Sequence, residues 1–135
     1  MSTENKKNNI DEEIKRAKAI LMAVKILAKR NLYTGAVNQL YDYLFQYLKA
    51  LLLTHGLEPK SHEEMEQLFN LHFVKTKIFD SKDEIFLERL SRYRTEADRN
   101  AVYDPTKNDF DDFLVDAKTL TEKIRKCLKE KNFLT

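Results

Sequence analysis

The chain of 135 residues has no tryptophan, two glycines, two prolines and one cysteine. So few breakers exclude a fold of many tight turns and favour long helices. The lone Cys127 excludes a disulfide framework and a cysteine-based metal centre, and it suits a reducing, cytoplasmic setting. Two glycines cannot build a glycine-rich phosphate loop. No apolar run approaches the ~20 residues of a membrane span; Tyr47 to Leu53, for one, is broken by Lys49. The opening MSTENKKNNIDEE lacks the apolar core of a signal peptide. The sequence thus predicts a cytoplasmic protein without a membrane segment. With 24 Lys and Arg against 22 Asp and Glu, the net charge of +2 is nearly balanced and does not announce a nucleic-acid binder. A chain built mainly to hold nucleic-acid backbone would carry more positive charge, although a local patch could still bind RNA.

What is present is apolar periodicity. Hydrophobic residues make up 42% of the chain, enough for one core and one domain. Residues 1–9 read as a disordered polar tail and residues 10–135 as a single helical domain. A first helix is expected from Ile10 or Asp11, with Ile14, Ala17, Leu21, Val24 and Ala28 on one face. A break near Arg30 and Asn31 precedes a second helix, about Tyr33 to His55. That helix is apolar on so many sides that it should lie at the centre of a bundle, and Gly35 and Ala36 near its start would admit a close neighbour. Gly56 caps its end and Pro59 enforces the break. Ser61 with Glu64 predicts a capped third helix, about His62 to Val74, and Ser81 with Glu84 a capped fourth helix that must stop before Pro105. Asn108 or Asp109 is expected to cap the last helix, where Phe110, Phe113, Leu114, Ala117, Leu120, Ile124 and Leu128 keep helical period. The expected fold is all-α: an up-and-down four-helix bundle with an additional short helix.

The fourth helix carries the densest chemistry. Leu87 to Tyr103, LERLSRYRTEADRNAVY, holds Arg89, Arg92, Arg94 and Arg99 beside a helical apolar stripe of Phe86, Leu90, Tyr93 and Ala97. Arg94 and Asp98 fall together at the margin of that stripe, where a half-desolvated charge needs a partner or a use. Arg preceding Asp by four is the weaker orientation for helix stability, so a site or a subunit contact accounts for the pair better. A guanidinium fork suits phosphate or carboxylate equally. The plainer alternative is a charged helix flank.

Other chemistry finds less support. His62-Glu63-Glu64-Met65-Glu66 resembles a zinc-protease motif, but Glu66 stands where a second histidine is needed, so the segment reads as a capped helix start and no metal site is expected. His55, His62 and His72 have no mutual ligand spacing and read as loop or surface residues. No cofactor is expected.

Four segments resemble the HEPN domain family, in particular its small stand-alone prokaryotic members associated with nucleotidyltransferases. They are Asn38-Gln39-Leu40-Tyr41-Asp42-Tyr43-Leu44-Phe45, Lys49-Ala50-Leu51-Leu52, Gly56-Leu57-Glu58-Pro59-Lys60-Ser61-His62 and Arg94-Thr95-Glu96-Ala97-Asp98. The family's forms are close to N-x-L-Y-Y-A-x-F, K-A-L-L, G-x-x-P-K-T-H and R-x-x-A-D-Y, and the resemblance runs from about Ile10 to Leu128. It implies a helical bundle that forms a homodimer, near twice 16.0 kDa in solution. It also implies a place in a toxin–antitoxin pair with a minimal nucleotidyltransferase partner. Many members cleave RNA without a metal, using Arg, a four-to-six-residue spacer and then His. Arg94 matches that Arg, but Arg99, Asn100 and Ala101 occupy the positions open to the His, and Arg99 also stands where the family's Tyr is usual, with Tyr103 one turn on. Arginine cannot serve as the base. The leading expectation is therefore a subunit that binds nucleotide, RNA or a partner at Arg94, Asp98, Arg99 and Tyr103 rather than an efficient catalyst. The alternatives are a metal-independent endoribonuclease toxin using Arg94 and Asp98, and a helical adaptor with no ligand.

Overall fold

A computed structural model describes residues 3–99 and 104–134, apart from the side chains of residues 3 and 97–99. The elements are α1 (Thr3–Lys29), α2 (Tyr33–Leu53), α3 (His62–Phe69), a π-helical turn (Asn70–Val74), α4 (Ser81–Arg99) and α5 (Lys107–Glu130). No strand occurs among the described residues. The bundle of four long helices with a short fifth agrees with the expected class.

The helix α2 is the central one. It packs against α1, α3, α4 and α5, and it buries Val37, Leu40, Tyr41, Leu44, Leu48, Leu51 and Leu52 almost completely. Around it close Ile10, Ile14, Ala17 and Val24 of α1, Leu87 and Leu90 of α4, and Phe110, Phe113, Ala117, Leu120, Ile124 and Leu128 of α5. A β-carbon on Gly35 would meet Leu27 at 3.5 Å, an ordinary contact, so the close approach of α1 and α2 does not require glycine there.

Three helices stop by one device. After α2 the Leu57 N–H donates to the Leu52 carbonyl and the Gly56 N–H to Leu53, with Gly56 at φ 71°. Asn31 (φ 61°) after α1 and Asn132 (φ 65°) after α5 end their helices with the same pair of bonds. These are left-handed caps, which glycine and asparagine tolerate best.

Four local expectations are corrected. The first helix begins at Thr3, about two turns before Ile10, because no breaker interrupts residues 3–9, Glu4 favours the N-terminal end and Ile10 is fully buried. The third helix stays α-helical only to Phe69; its last turn widens to π geometry, which directs Phe69 and Phe73 together into the core. At the start of α4 the capping bond lies one residue early, with the Asp83 carboxylate accepting from the Asp80 N–H at 3.1 Å and pairing with Lys123 at 3.0 Å. In α5 the cap is Thr106, not Asn108 or Asp109. Its hydroxyl accepts from the Asp109 N–H while the Asp109 carboxylate accepts from the Thr106 N–H, a full capping box.

The candidate site at the junction of α2, α3 and α4

Three helices converge on Arg94. From the last third of α4 its guanidinium reaches between the middle of α2 and the start of α3. Nη1 lies 2.9 Å from His62 Nδ1, Nη2 lies 3.8 Å from Asp42 Oδ1, and the group sits 5.0 Å above the Tyr41 ring. The side chain keeps 28% of its surface in solvent, enough for a ligand to reach it. Its Nε, by contrast, is buried without a hydrogen-bond partner.

His62 is the first residue of α3, whose start is fixed by the Ser61 hydroxyl accepting from the Glu64 N–H at 3.0 Å. The imidazole is held in an aromatic slot of α2, 4.5 Å from the Phe45 ring and 4.9 Å from the Tyr41 ring. Phe45 and Tyr41 are four apart, so one face of α2 supplies both walls. Arg94 can only donate, so Nδ1 accepts and the proton of neutral His62 sits on Nε2. Burial and then the Arg94 charge hold His62 below the ordinary 6.5, against a smaller pull from Asp42. The imidazole is therefore neutral at pH 7, the form able to take a proton.

Behind this pair lies Glu66, one helical turn after His62. Burial pushes its carboxyl up to about 7 from the ordinary 4.5, and the Glu88 and Glu63 charges add to the rise while Ser91 opposes it. Ser91 stands near both the Glu66 carboxyl and the Tyr41 hydroxyl, yet neither Glu66 Oε1 nor the Tyr41 hydroxyl has a partner of ordinary hydrogen-bond geometry. The Tyr41 hydroxyl is pushed up to about 12, chiefly by burial and next by the Glu66 charge. Buried polar atoms are usually satisfied. Here Glu66 Oε1, Tyr41 Oη and Arg94 Nε are all left over at one place. A cavity of about 320 Å³ opens between α3 and α4 on the Glu66 side, lined by Glu66, Ser91 and Asn70 and not by Tyr41, His62 or Arg94.

The raised carboxyl has a consequence for stability. A group whose folded value exceeds its unfolded value stabilises fully below the unfolded value, and that contribution is lost as pH rises through the folded one. For Glu66 the window runs from about 4.5 to about 7. The difference corresponds to about 3 kcal/mol for a wholly buried group, reduced by partial exposure to about 1–2 kcal/mol. Glu66→Gln should therefore stabilise the protein by that amount at pH 8 and not at pH 4, as read by urea unfolding. An equal effect at both values would point to packing rather than to the proton.

Of the residues singled out in the sequence, Arg94 is at the centre. Asp98 and Arg99 lie on α4 with side chains outside the described residues, and Tyr103 also lies outside them. The arginines on the far side are surface groups: Arg92 pairs with Glu88 at 2.6 Å, and Arg89 lies 5.3 Å over the Phe113 ring. Sequence reasoning missed His62 as a site residue, reading it as loop or surface, and gave no role to Tyr41, Asp42 or Glu66. The signal was present, because the segments Asn38–Phe45, Gly56–His62 and Arg94–Asp98 that carried the family resemblance supply Tyr41, Asp42, Phe45, His62 and Arg94. Among the described residues no group of three or more His, Cys, Asp or Glu could hold a metal ion, and no helix is long and apolar enough to cross a membrane.

Comparison with known proteins points to one family. A family model described as the HEPN domain matches residues 10–128. A candidate toxin of Methanocaldococcus jannaschii is 32% identical over 124 residues, covering 92% of either chain. A second candidate toxin of the same organism is 30% identical over 128 residues, 95% of this chain and 87% of that one. A UPF0332 protein of Thermotoga maritima is 29% identical over 116 residues, 86% of this chain and 88% of its own.

Proposed function

Since the chain belongs to the HEPN domain family, we propose that it is a toxin-like member that cleaves RNA without a metal ion, with Arg94 gripping the scissile phosphate and His62 acting as the base. One observation carries the reading, the 2.9 Å contact between Arg94 Nη1 and His62 Nδ1. The histidine that the sequence lacks after Arg94 is supplied from α3. An incoming phosphodiester would draw the guanidinium onto its oxygens and free Nδ1. The neutral imidazole then takes the proton of the ribose 2′-hydroxyl, the 2′-oxygen bonds to phosphorus, and the bond to the 5′-oxygen breaks. The cation stabilises the charge that builds on the phosphate oxygens during this displacement. Asp42 holds the guanidinium over the Tyr41 ring before substrate arrives. The similarity to two candidate toxins supports placing the chain in a toxin–antitoxin pair. A homodimer and a nucleotidyltransferase partner complete this reading.

The test is incubation of purified protein with total RNA in EDTA. The wild type should leave 2′,3′-cyclic phosphate and 5′-hydroxyl ends, and Arg94→Ala should be slower by about 10²–10³-fold, the usual loss of a charge-stabilising donor. Arg94-dependent binding without cleavage would leave only the phosphate grip. If neither binding nor cleavage depends on Arg94, the chain is a helical adaptor.

A further inference from the structure

The displacement above leaves one proton unaccounted for. The 5′-oxygen departs as an alkoxide unless something protonates it, and His62 is occupied on the other side of phosphorus. We propose that Glu66 is the general acid, handing its proton to the 5′-oxygen as the P–O5′ bond breaks. The inference rests on the reading of Arg94 and His62 given above.

Placement is the first argument. Glu66 follows His62 by four residues on α3, so the two side chains share a face with β-carbons about 5–6 Å apart. An in-line displacement needs its base and acid at opposite ends of the reacting phosphate, and one helical turn provides that separation. The second argument is the orphaned Oε1, which is buried and unpartnered while the carboxyl borders the cavity between α3 and α4. The leaving ribose would enter there, between Ser91 and Asn70.

The surroundings favour the protonated form. The charged and titratable groups about the carboxyl are His62 and Glu63 on its own helix, Glu84, Glu88, Arg92 and Arg94 on α4, and Tyr41 on α2, and of these the Glu88 and Glu63 charges raise it. Arg92 is already engaged by Glu88. With burial, this acidic neighbourhood holds the proton to about pH 7, and a bound phosphate adds further negative charge. The Tyr41 hydroxyl is the rival donor, but a group held near 12 is the poorer acid at neutral pH. The balance closes on two residues: His62 gains the 2′-hydroxyl proton, Glu66 loses one to the 5′-oxygen, and water returns both to their starting states after product leaves.

Two substrates test the assignment. RNA needs a proton on its leaving oxygen, whereas the 4-nitrophenyl ester of uridine 3′-phosphate releases a phenolate that needs none. Glu66→Gln should slow RNA cleavage by about 10²-fold or more and the ester far less. The wild-type rate on RNA should fall as pH rises past about 7, and the variant should lack that fall. Equal losses on both substrates, or a loss in Tyr41→Phe that Glu66→Gln does not share, would overturn the assignment while leaving Arg94 and His62 in place. A wild-type protein that cleaves neither substrate would remove the underlying reading and Glu66's role with it.

Discussion

Replacing His62 with alanine should lower the rate of RNA cleavage by about 10²–10⁴-fold, the range for loss of a positioned base. The expectation follows from the tautomer. Arg94 donates to Nδ1, so that nitrogen carries a lone pair on the side where the phosphate must bind. Burial and the Arg94 charge keep the ring neutral through the physiological range. In the wild type the rate should therefore fall on acidification, at a value below 6.5, and the variant should lose that acid limb along with its rate. His62→Gln is the sharper control, because it offers Arg94 a hydrogen-bond acceptor but no base; it should be as slow as the alanine variant while retaining RNA. The slot between the Phe45 and Tyr41 rings is shaped for an imidazole, so added imidazole should restore part of the activity of His62→Ala. Full activity in either variant would move the base elsewhere, and rescue of His62→Ala by imidazole would exclude a merely structural role.

The reason His62 was hard to read lies in the distance over which its environment is assembled. Features set by one residue and its immediate neighbours were legible. Gly56 and Asn31 end their helices because few residues accept a left-handed backbone, and Ser61 caps α3 because its hydroxyl meets an N–H three residues on. The apolar breadth of α2 likewise placed it at the centre. Where residues within one turn shared capping chemistry the register slipped, by three residues from Asp109 to Thr106 and by one from Ser81 to Asp80. The π turn left no local mark, since it answers to the joint burial of Phe69, Phe73 and Phe79. Arg94 announced itself as a charge at the margin of an apolar stripe. Helical spacing offered Asp98 as its partner, whereas the partners found among the described residues come from other helices, Asp42 and Tyr41 on α2 and His62 on α3. For the same reason a polar residue at a helix start looked solvent-facing until the two rings of α2 closed around it.

Phe73→Ala should show the opposite pattern, a large loss of stability with the chemistry preserved. Phe73 is fully buried in the π turn, where its ring lies 4.7 Å from His55, 6.1 Å from Phe69 and 6.0 Å from Phe79. Its carbonyl also accepts the Phe79 N–H at 2.8 Å, closing the connection to α4. Truncation empties the centre of this aromatic group and should cost about 3–5 kcal/mol, the usual range for phenylalanine in a core. That loss corresponds to a fall in the unfolding midpoint on the order of 10–20 °C, read from the helical circular dichroism signal. The site should survive at temperatures well below the new midpoint. His62 is held at the other end of α3 by Ser61 and the rings of α2, and Met65, fully buried, still anchors the helix between them. Cleavage by Phe73→Ala in the cold should thus remain within about tenfold of wild type, or 1.4 kcal/mol in barrier, whereas His62→Ala should unfold close to the wild-type midpoint and cleave hardly at all. If Phe73→Ala lost activity without losing stability, the π turn would be acting on the position of His62 and Glu66 directly, and the separation between a structural end and a chemical end of α3 would be wrong.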